Sequence, residues 1–223
     1  MITMNLRELL SYQNPRMEEY DRIIAGTRCR DWTCTVPCAD LRTRRLKRNH
    51  NQLLQEKLSG RLLVDLGCGT NMASWEKTAE LAMGCKARAY LGVDRFFSPE
   101  EELYKSLAPA DATAEYASTE LILVCGDMLK FLAMLPDNSA NFTINNIDAA
   151  IISSKHYLSA VTDELERATV PGGIVFGACS VPLSYLSQDL FCKVEPSYHD
   201  PNSGLFVKKA AGEGVDITAA SLS

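Results

Sequence analysis

No stretch of this chain stays apolar for the ~20 residues that a helix needs to cross a bilayer, so a membrane-spanning protein is not expected. A secretory signal would show a basic start followed by an apolar core of roughly 7–15 residues. Asn5, Arg7 and Glu8 interrupt any such core. Paired Cys-x-x-Cys knuckles are missing too. The eight cysteines are scattered, several inside expected strands, which is the pattern of reduced thiols in a cytoplasmic protein rather than of a disulfide framework. Positive charge is not in excess: 23 Lys and Arg stand against 28 Asp and Glu, for a net charge of −5. An acidic body of this kind argues against broad nucleic-acid binding. At 223 residues and 46% hydrophobic content, one α/β domain with an appendage and an ample core is expected.

What charge there is lies unevenly. Arg28, Arg30, Arg42, Arg44, Arg45, Lys47 and Arg48 face only Asp31 and Asp40 over that stretch, a local net of +5, so the rest of the chain carries −10. Such a segment attracts an anionic substrate or forms a solvated helix face, and the second is the plainer reading.

The informative pattern starts at Leu62. Leu62-Leu-Val-Asp-Leu-Gly-Cys-Gly-Thr70 is an apolar strand entering an Asp-x-Gly-x-Gly turn. Tyr90-Leu-Gly-Val-Asp94 and Leu121-Ile-Leu-Val-Cys-Gly-Asp127 are two further short apolar runs that end on an acid. A parallel α/β sheet places its ligand site at the carboxyl ends of its strands. Three strands that each deliver a carboxylate there describe a pocket for a ligand rich in donors: an amino group, a ribose diol, an exocyclic amine. The dinucleotide fingerprint Gly-x-Gly-x-x-Gly is not met, because Met72 stands where its third glycine belongs. Asp65 would also repel a pyrophosphate.

These residues resemble the class I, Rossmann-like methyltransferases that use S-adenosylmethionine (SAM). Asp65-Leu-Gly-Cys-Gly-Thr-Asn71 is similar to their first motif, with Asn71 where many members carry a third glycine. Asp94 matches the acid that holds the ribose hydroxyls. Gly126-Asp127-Met128 matches the adenine segment, Asn145-Asn146-Ile147 lies where the fourth strand borders the reacting methyl group, and Pro171-Gly-Gly-Ile-Val-Phe176 resembles the turn into the fifth strand. The likeness spans about residues 60–210. It implies a cofactor site made of Asp65, Gly67, Cys68, Gly69, Asn71, Asp94, Arg95, Asp127, Met128 and Asn145. SAM would be the methyl donor and S-adenosylhomocysteine the product.

Along the chain, helices are predicted at 4–24 and 39–58. Strands and helices then alternate: strand 61–66, helix 72–83, strand 89–94, helix 99–108, strand 121–125, helix 128–135, strand 141–146, helix 154–168 and strand 174–179. Ser98-Pro99-Glu100-Glu101 is a good helix start, with a capping serine and proline at the first position. A short helix is predicted near 183–190. A closing hairpin of Phe191–Pro196 and Leu205–Lys209 flanks a turn-rich loop, and the family's sheet also ends in an antiparallel strand. Alternation of this kind implies a parallel sheet with helices on both faces. The expected organisation is a helical N-terminal cap (1–58), a SAM-binding methyltransferase domain (59–210) and a flexible tail (211–223).

The cap is expected to cover the acceptor pocket, since loops between later elements are mostly short. Tyr20, Trp32 and Arg44 are its candidate substrate contacts, alongside Tyr12, Arg42 and Arg45. His156 and Asp148, after the fourth strand, are candidate general bases, although an exposed residue on the first turn of a helix is the plainer reading of His156. Methyl transfer needs mainly an in-line approach, so a base is optional.

Several sharper readings fit poorly. Cys29, Cys34, Cys38 and His50 have the wrong spacing for a paired zinc knuckle, and free thiols are the plainer account; no metal is expected. The same cysteines miss the radical-SAM spacing at both gaps. Ala178-Cys179-Ser180 resembles the nucleophile region of RNA cytosine-C5 methyltransferases, but their Pro-Cys pair after the fourth strand is absent. Asn146-Ile-Asp-Ala149 also lacks the Asn/Asp-Pro-Pro-aromatic motif that holds amide or exocyclic nitrogens. The expected function is methyl transfer from SAM to a small-molecule acceptor. The alternatives are an RNA or protein methyltransferase docking on the basic segment, and a SAM-fold binder without methyl transfer.

Overall fold

The computed structural model describes residues 14–27, 50–69, 72–95, 119–145, 147, 154–178, 180–196 and 204–210. Seven strands form one sheet: β1 (Leu62–Leu66), β2 (Ala89–Asp94), β3 (Glu120–Cys125), β4 (Asn141–Asn145), β5 (Ile174–Ala178), β6 (Phe191–Pro196) and β7 (Gly204–Lys208), in the order β3-β2-β1-β4-β5-β7-β6. The first five run parallel. β7 pairs antiparallel with β5, and β6 with β7. This is a Rossmann-like α/β sheet closed by a C-terminal antiparallel hairpin, the class the alternating pattern predicts.

Its helices, among the described residues, are α1 (Met17–Gly26), α2 (50–58), α3 (Met72–Gly84), α4 (Met128–Ala133) and α5 (Lys155–Ala168), with a 3-10 helix at Val181–Tyr185. Alternate strand residues face opposite layers, as the period of two requires. Leu62, Val64, Leu91, Val93, Phe142 and Ile144 pack with α1, α4 and α5. Leu63, Tyr90, Ile174, Phe176 and Leu205 pack with α2 and α3. Trp75, Tyr20, Tyr90 and Tyr157 are among the largest fully buried side chains.

These two layers bear directly on the N-terminal segment. Tyr20 of α1 has no exposed surface and lies in one core; Leu54 and Leu58 of α2 are equally buried in the other. The described parts of 1–58 are therefore built into both faces of the sheet. The predicted helix 4–24 does not hold at 14–16, where the described residues begin. Pro15 supplies no N–H, and the residue before a proline is pushed out of the helical region. Asn14 instead closes a turn, its side chain accepting from the Arg16 N–H at 2.8 Å, and the helix starts at Met17. The helix predicted at 128–135 ends at Ala133, just before Pro136, and the one predicted at 183–190 is the shorter 3-10 turn. The helix predicted at 99–108, the tail 211–223 and the start of the helix predicted at 39–58 lie outside the described residues.

The chain enters the sheet at β1, moves outward to β2 and β3, then crosses back to β4 on the other side of β1. β1 and β4 thus form the switch point, where the strand order leaves a crevice at the carboxyl edge. β4 and β5 are fitted closely beside it. A Cβ on Gly177 would fall 1.7 Å from the Ile144 carbonyl oxygen. The Ser180 hydroxyl donates to that same oxygen at 2.8 Å and accepts from the Ile147 N–H at 3.4 Å.

Candidate functional site

The turn after β1 is shaped by two glycines with positive φ, +68° at Gly67 and +85° at Gly69, a conformation that costs other residues. The Val93 carbonyl accepts from both Gly67 N–H (2.8 Å) and Cys68 N–H (3.3 Å), which binds the turn to the end of β2. Asp94 completes it by accepting from the Gly69 N–H at 3.0 Å. A Cβ on Gly67 would stand 2.9 Å from the Ile147 side chain, so the ends of β1 and β4 meet there. Cys68 contributes backbone. Its side chain is buried, and burial raises the thiol well above its ordinary range.

Beneath this turn lies Asp65, 1% exposed. The Tyr90 hydroxyl donates to its Oδ2 at 2.8 Å, while Oδ1 has no hydrogen-bond partner among the described residues. Burial pushes the carboxyl up to about 7, and the like charge of Asp94 adds to this against the opposing hydroxyls of Tyr90 and Thr78. A buried carboxylate lacking a donor on one oxygen suits a cationic ligand group.

Asp127 caps α4. Its Oδ1 accepts from the N–H groups of Leu129 (2.9 Å) and Lys130 (3.3 Å), and from the Tyr157 hydroxyl of α5 at 2.9 Å. Its Oδ2 lies 4.0 Å from the Arg95 guanidinium. Met128, half-buried, opens α4 beside it. Register puts Asp94 opposite Cys125, so Asp94 and Asp127 sit on neighbouring strand ends. Asn145, 7% exposed at the end of β4, donates to the Thr143 hydroxyl at 3.1 Å.

The structure thus brings Asp65, Gly67, Cys68, Gly69, Asp94, Arg95, Asp127, Met128 and Asn145 to one edge of the sheet. His156 is exposed on the first turn of α5, which Ser154 caps by accepting from the Tyr157 N–H. Asn71, Asp148, Trp32 and Arg44 lie outside the described residues, as do Cys29, Cys34 and Cys38.

Tyr20, a candidate substrate contact, is fully buried, and its hydroxyl donates to Glu164 at 2.5 Å. Burial raises that hydroxyl far above its usual range. A phenol spent on a buried carboxylate has no donor left for an acceptor molecule. The sequence reading also missed Tyr90, Tyr157 and Ser180. Each acts across 25 or more residues, and only their place in a buried strand, an amphipathic helix or the turn after β5 marks them out.

No family model matches the chain, and no curated protein does. Among solved structures it is similar to an S-adenosylmethionine-dependent methyltransferase from Clostridium acetobutylicum (17% identity, 81% of this chain and 63% of that one, TM-score 0.43). It is also similar to an rRNA methylase from Streptococcus thermophilus (14% identity, 71% and 93%, TM-score 0.39) and to a SAM-dependent methyltransferase from Archaeoglobus fulgidus (17% identity, 61% and 50%, TM-score 0.38). The chain therefore spans half the length of the last of these. No described helix is long and apolar enough to cross a membrane.

Proposed function

We propose that this chain is a class I, SAM-dependent methyltransferase that transfers the methyl group to a small-molecule acceptor. One observation carries the reading: Asp65, Asp94 and Asp127 stand at the carboxyl ends of three adjacent parallel strands, around a turn of two positive-φ glycines. The donor set fits SAM by its chemistry. Asp65, with an unpartnered buried oxygen, would serve the ammonium group. Asp94, a carboxylate at the end of β2 beside the glycine turn, would serve the ribose diol. Asp127 would serve the exocyclic amine of adenine. A ligand carrying a sulfonium and an ammonium gains from this excess of carboxylates, whereas a pyrophosphate loses.

When bound, SAM supplies an activated methyl group. The protein's own part is to hold and orient. The glycine turn, fixed to Val93 and Asp94, gives the ligand a rigid backbone platform. Asn145 and Ile147 border the β1–β4 crevice, where an acceptor would approach in line. Cytoplasmic residence belongs to the proposal as well. It is supported by the described cysteines Cys68, Cys125 and Cys192, which are free thiols.

The test is turnover. The full chain is titrated with SAM by calorimetry, then assayed for S-adenosylhomocysteine with pools of small metabolites, RNA or protein as acceptors. Binding plus turnover with the metabolite pool supports the proposal. Turnover only with RNA, weakening steeply with salt, moves the acceptor to nucleic acid and the docking to the basic segment 28–48. Binding without turnover leaves a SAM-binding protein. Failure to bind SAM contradicts the reading outright.

A further inference from the structure

We propose that Tyr157 is a positioning residue that aims one oxygen of Asp127 at the ligand and so selects an amino-purine over an oxo-purine. The inference rests on the SAM-site reading above, but concerns a residue that no motif marks.

Oδ1 of Asp127 takes three donors: Leu129 N–H, Lys130 N–H and the Tyr157 hydroxyl. That oxygen is committed, and Oδ2 is what remains to meet a ligand. The carboxylate keeps 11% exposure. Two donors from consecutive amides of one helical turn locate Oδ1 but let the carboxylate pivot, because rotation about the terminal bond of an aspartate is broad. The third donor comes from a different element, α5, and fixes the plane. Tyr157 can do this because it is itself immobilised, 1% exposed, one turn from a helix start capped by Ser154. A pivot also has a destination, since the Arg95 guanidinium lies 4.0 Å from Oδ2 and would draw it closer. An ionised carboxylate only accepts. Held in place it favours a ring bearing an amino donor and opposes one bearing a carbonyl. Displaced toward Arg95, it loses that preference.

The experiment measures calorimetric affinities of full-length wild type and Tyr157→Phe for S-adenosylhomocysteine and for its deaminated analogue, S-inosylhomocysteine. Wild type should prefer the adenosyl compound by about tenfold or more, the scale of one hydrogen bond to a charged acceptor. Tyr157→Phe, which keeps the ring and its packing, should lower that preference to about threefold or less, with the loss confined to the adenosyl compound. Equal weakening for both compounds, or no change, would overturn the proposal. A second variant guards against misfolding. In Asp127→Asn the backbone donors and Tyr157 hold the amide oxygen at the Oδ1 place, so the amide nitrogen faces the ligand and the preference should reverse. An unchanged preference in Asp127→Asn overturns the aiming of Oδ2. Wild type that binds neither compound overturns the SAM-site reading itself, and is recognised by that control.

Discussion

Glu164 and Asp65 are 2% and 1% exposed, and each accepts a hydrogen bond from a tyrosine hydroxyl, Tyr20 in one case and Tyr90 in the other. Around Glu164 the remaining valences are filled. Asn14 donates to both oxygens at 3.4 and 3.3 Å, and Arg167 donates from Nε at 2.7 Å while also reaching the carbonyls of Leu132 and Leu135. Charge, donors and acceptors balance, and the result ties α1 to α5. Around Asp65 they do not balance. Among the described residues one oxygen has no partner and Asp94 adds a charge of the same sign, and burial pushes the carboxyl up to about 7. A buried charge is tolerated when paired and costly when not. The first carboxylate serves the fold. The second weakens the fold, and perturbed groups of this kind concentrate at functional sites.

The comparison breaks most visibly at Glu164. Glu164→Ala takes the acceptor from Tyr20 and Asn14 and one of the two carboxylate partners from Arg167, and should cost ~3 kcal/mol, the low end for breaking a buried pair because Arg167 keeps Asp137 and 22% exposure. Denaturant unfolding measures it, with SAM affinity of the folded protein unchanged. A loss below about 1 kcal/mol would mean that the network adds little.

Asp65 should show the opposite sign through pH. Its folded state holds the proton more tightly than the unfolded chain, whose carboxyl titrates near 3.8. Between about pH 4 and 7 the folded protein binds more protons, so stability falls as pH rises across that window, by an amount of order 2–4 kcal/mol. Asp65→Asn should flatten the slope. Unfolding at pH 4, 5.5 and 7 decides it, and an equal slope in wild type and variant would show that Asp65 is not the group responsible.

The proposed site puts Asp94 with Asp65 on the ligand side. Losing a charged acceptor costs ~1.5–3 kcal/mol, so Asp94→Ala should weaken SAM binding about ten- to a hundredfold while the protein stays folded. Calorimetry showing wild-type affinity would remove Asp94 from the site. The smallest effect is expected of Tyr20→Phe, about 1–2 kcal/mol of stability, with no change in SAM affinity. A loss of affinity in that variant would restore Tyr20 to the ligand side and blur the distinction between the two carboxylates.

Much of this was legible in the sequence, for reasons that can be named. β2 was predicted at the residues it occupies, and β1 to within one, because short apolar runs bounded by glycine and acid have one good reading. The Asp65–Gly69 turn was equally plain, since its spacing carries local chemistry. The burial of Tyr20 was not legible, because an aromatic on an amphipathic helix serves a core or a ligand with the same pattern. Pro15 was overlooked, and with it the break that starts α1 at Met17. Tyr157 was invisible, because its partner Asp127 lies 30 residues away on another element. Asp127 itself was read as a ligand acid, whereas three donors on Oδ1 make it a helix cap first. Local turns are written in neighbouring residues; hydrogen bonds between elements are written only in the fold.

The central claim is that the unsatisfied oxygen of Asp65 awaits the ammonium group of the ligand. With burial pushing that carboxyl up to about 7, Asp65 holds its proton at a pH where an ordinary aspartate has lost it, and a bound cation would drive the proton off. Calorimetric titration with SAM at pH 6, repeated in buffers of different ionisation enthalpy, counts the protons. The account predicts release of about one proton per SAM bound by wild type and none by Asp65→Asn, whose affinity should also fall about tenfold or more. Tight SAM binding by wild type with no proton released, and undiminished affinity in Asp65→Asn, would contradict it.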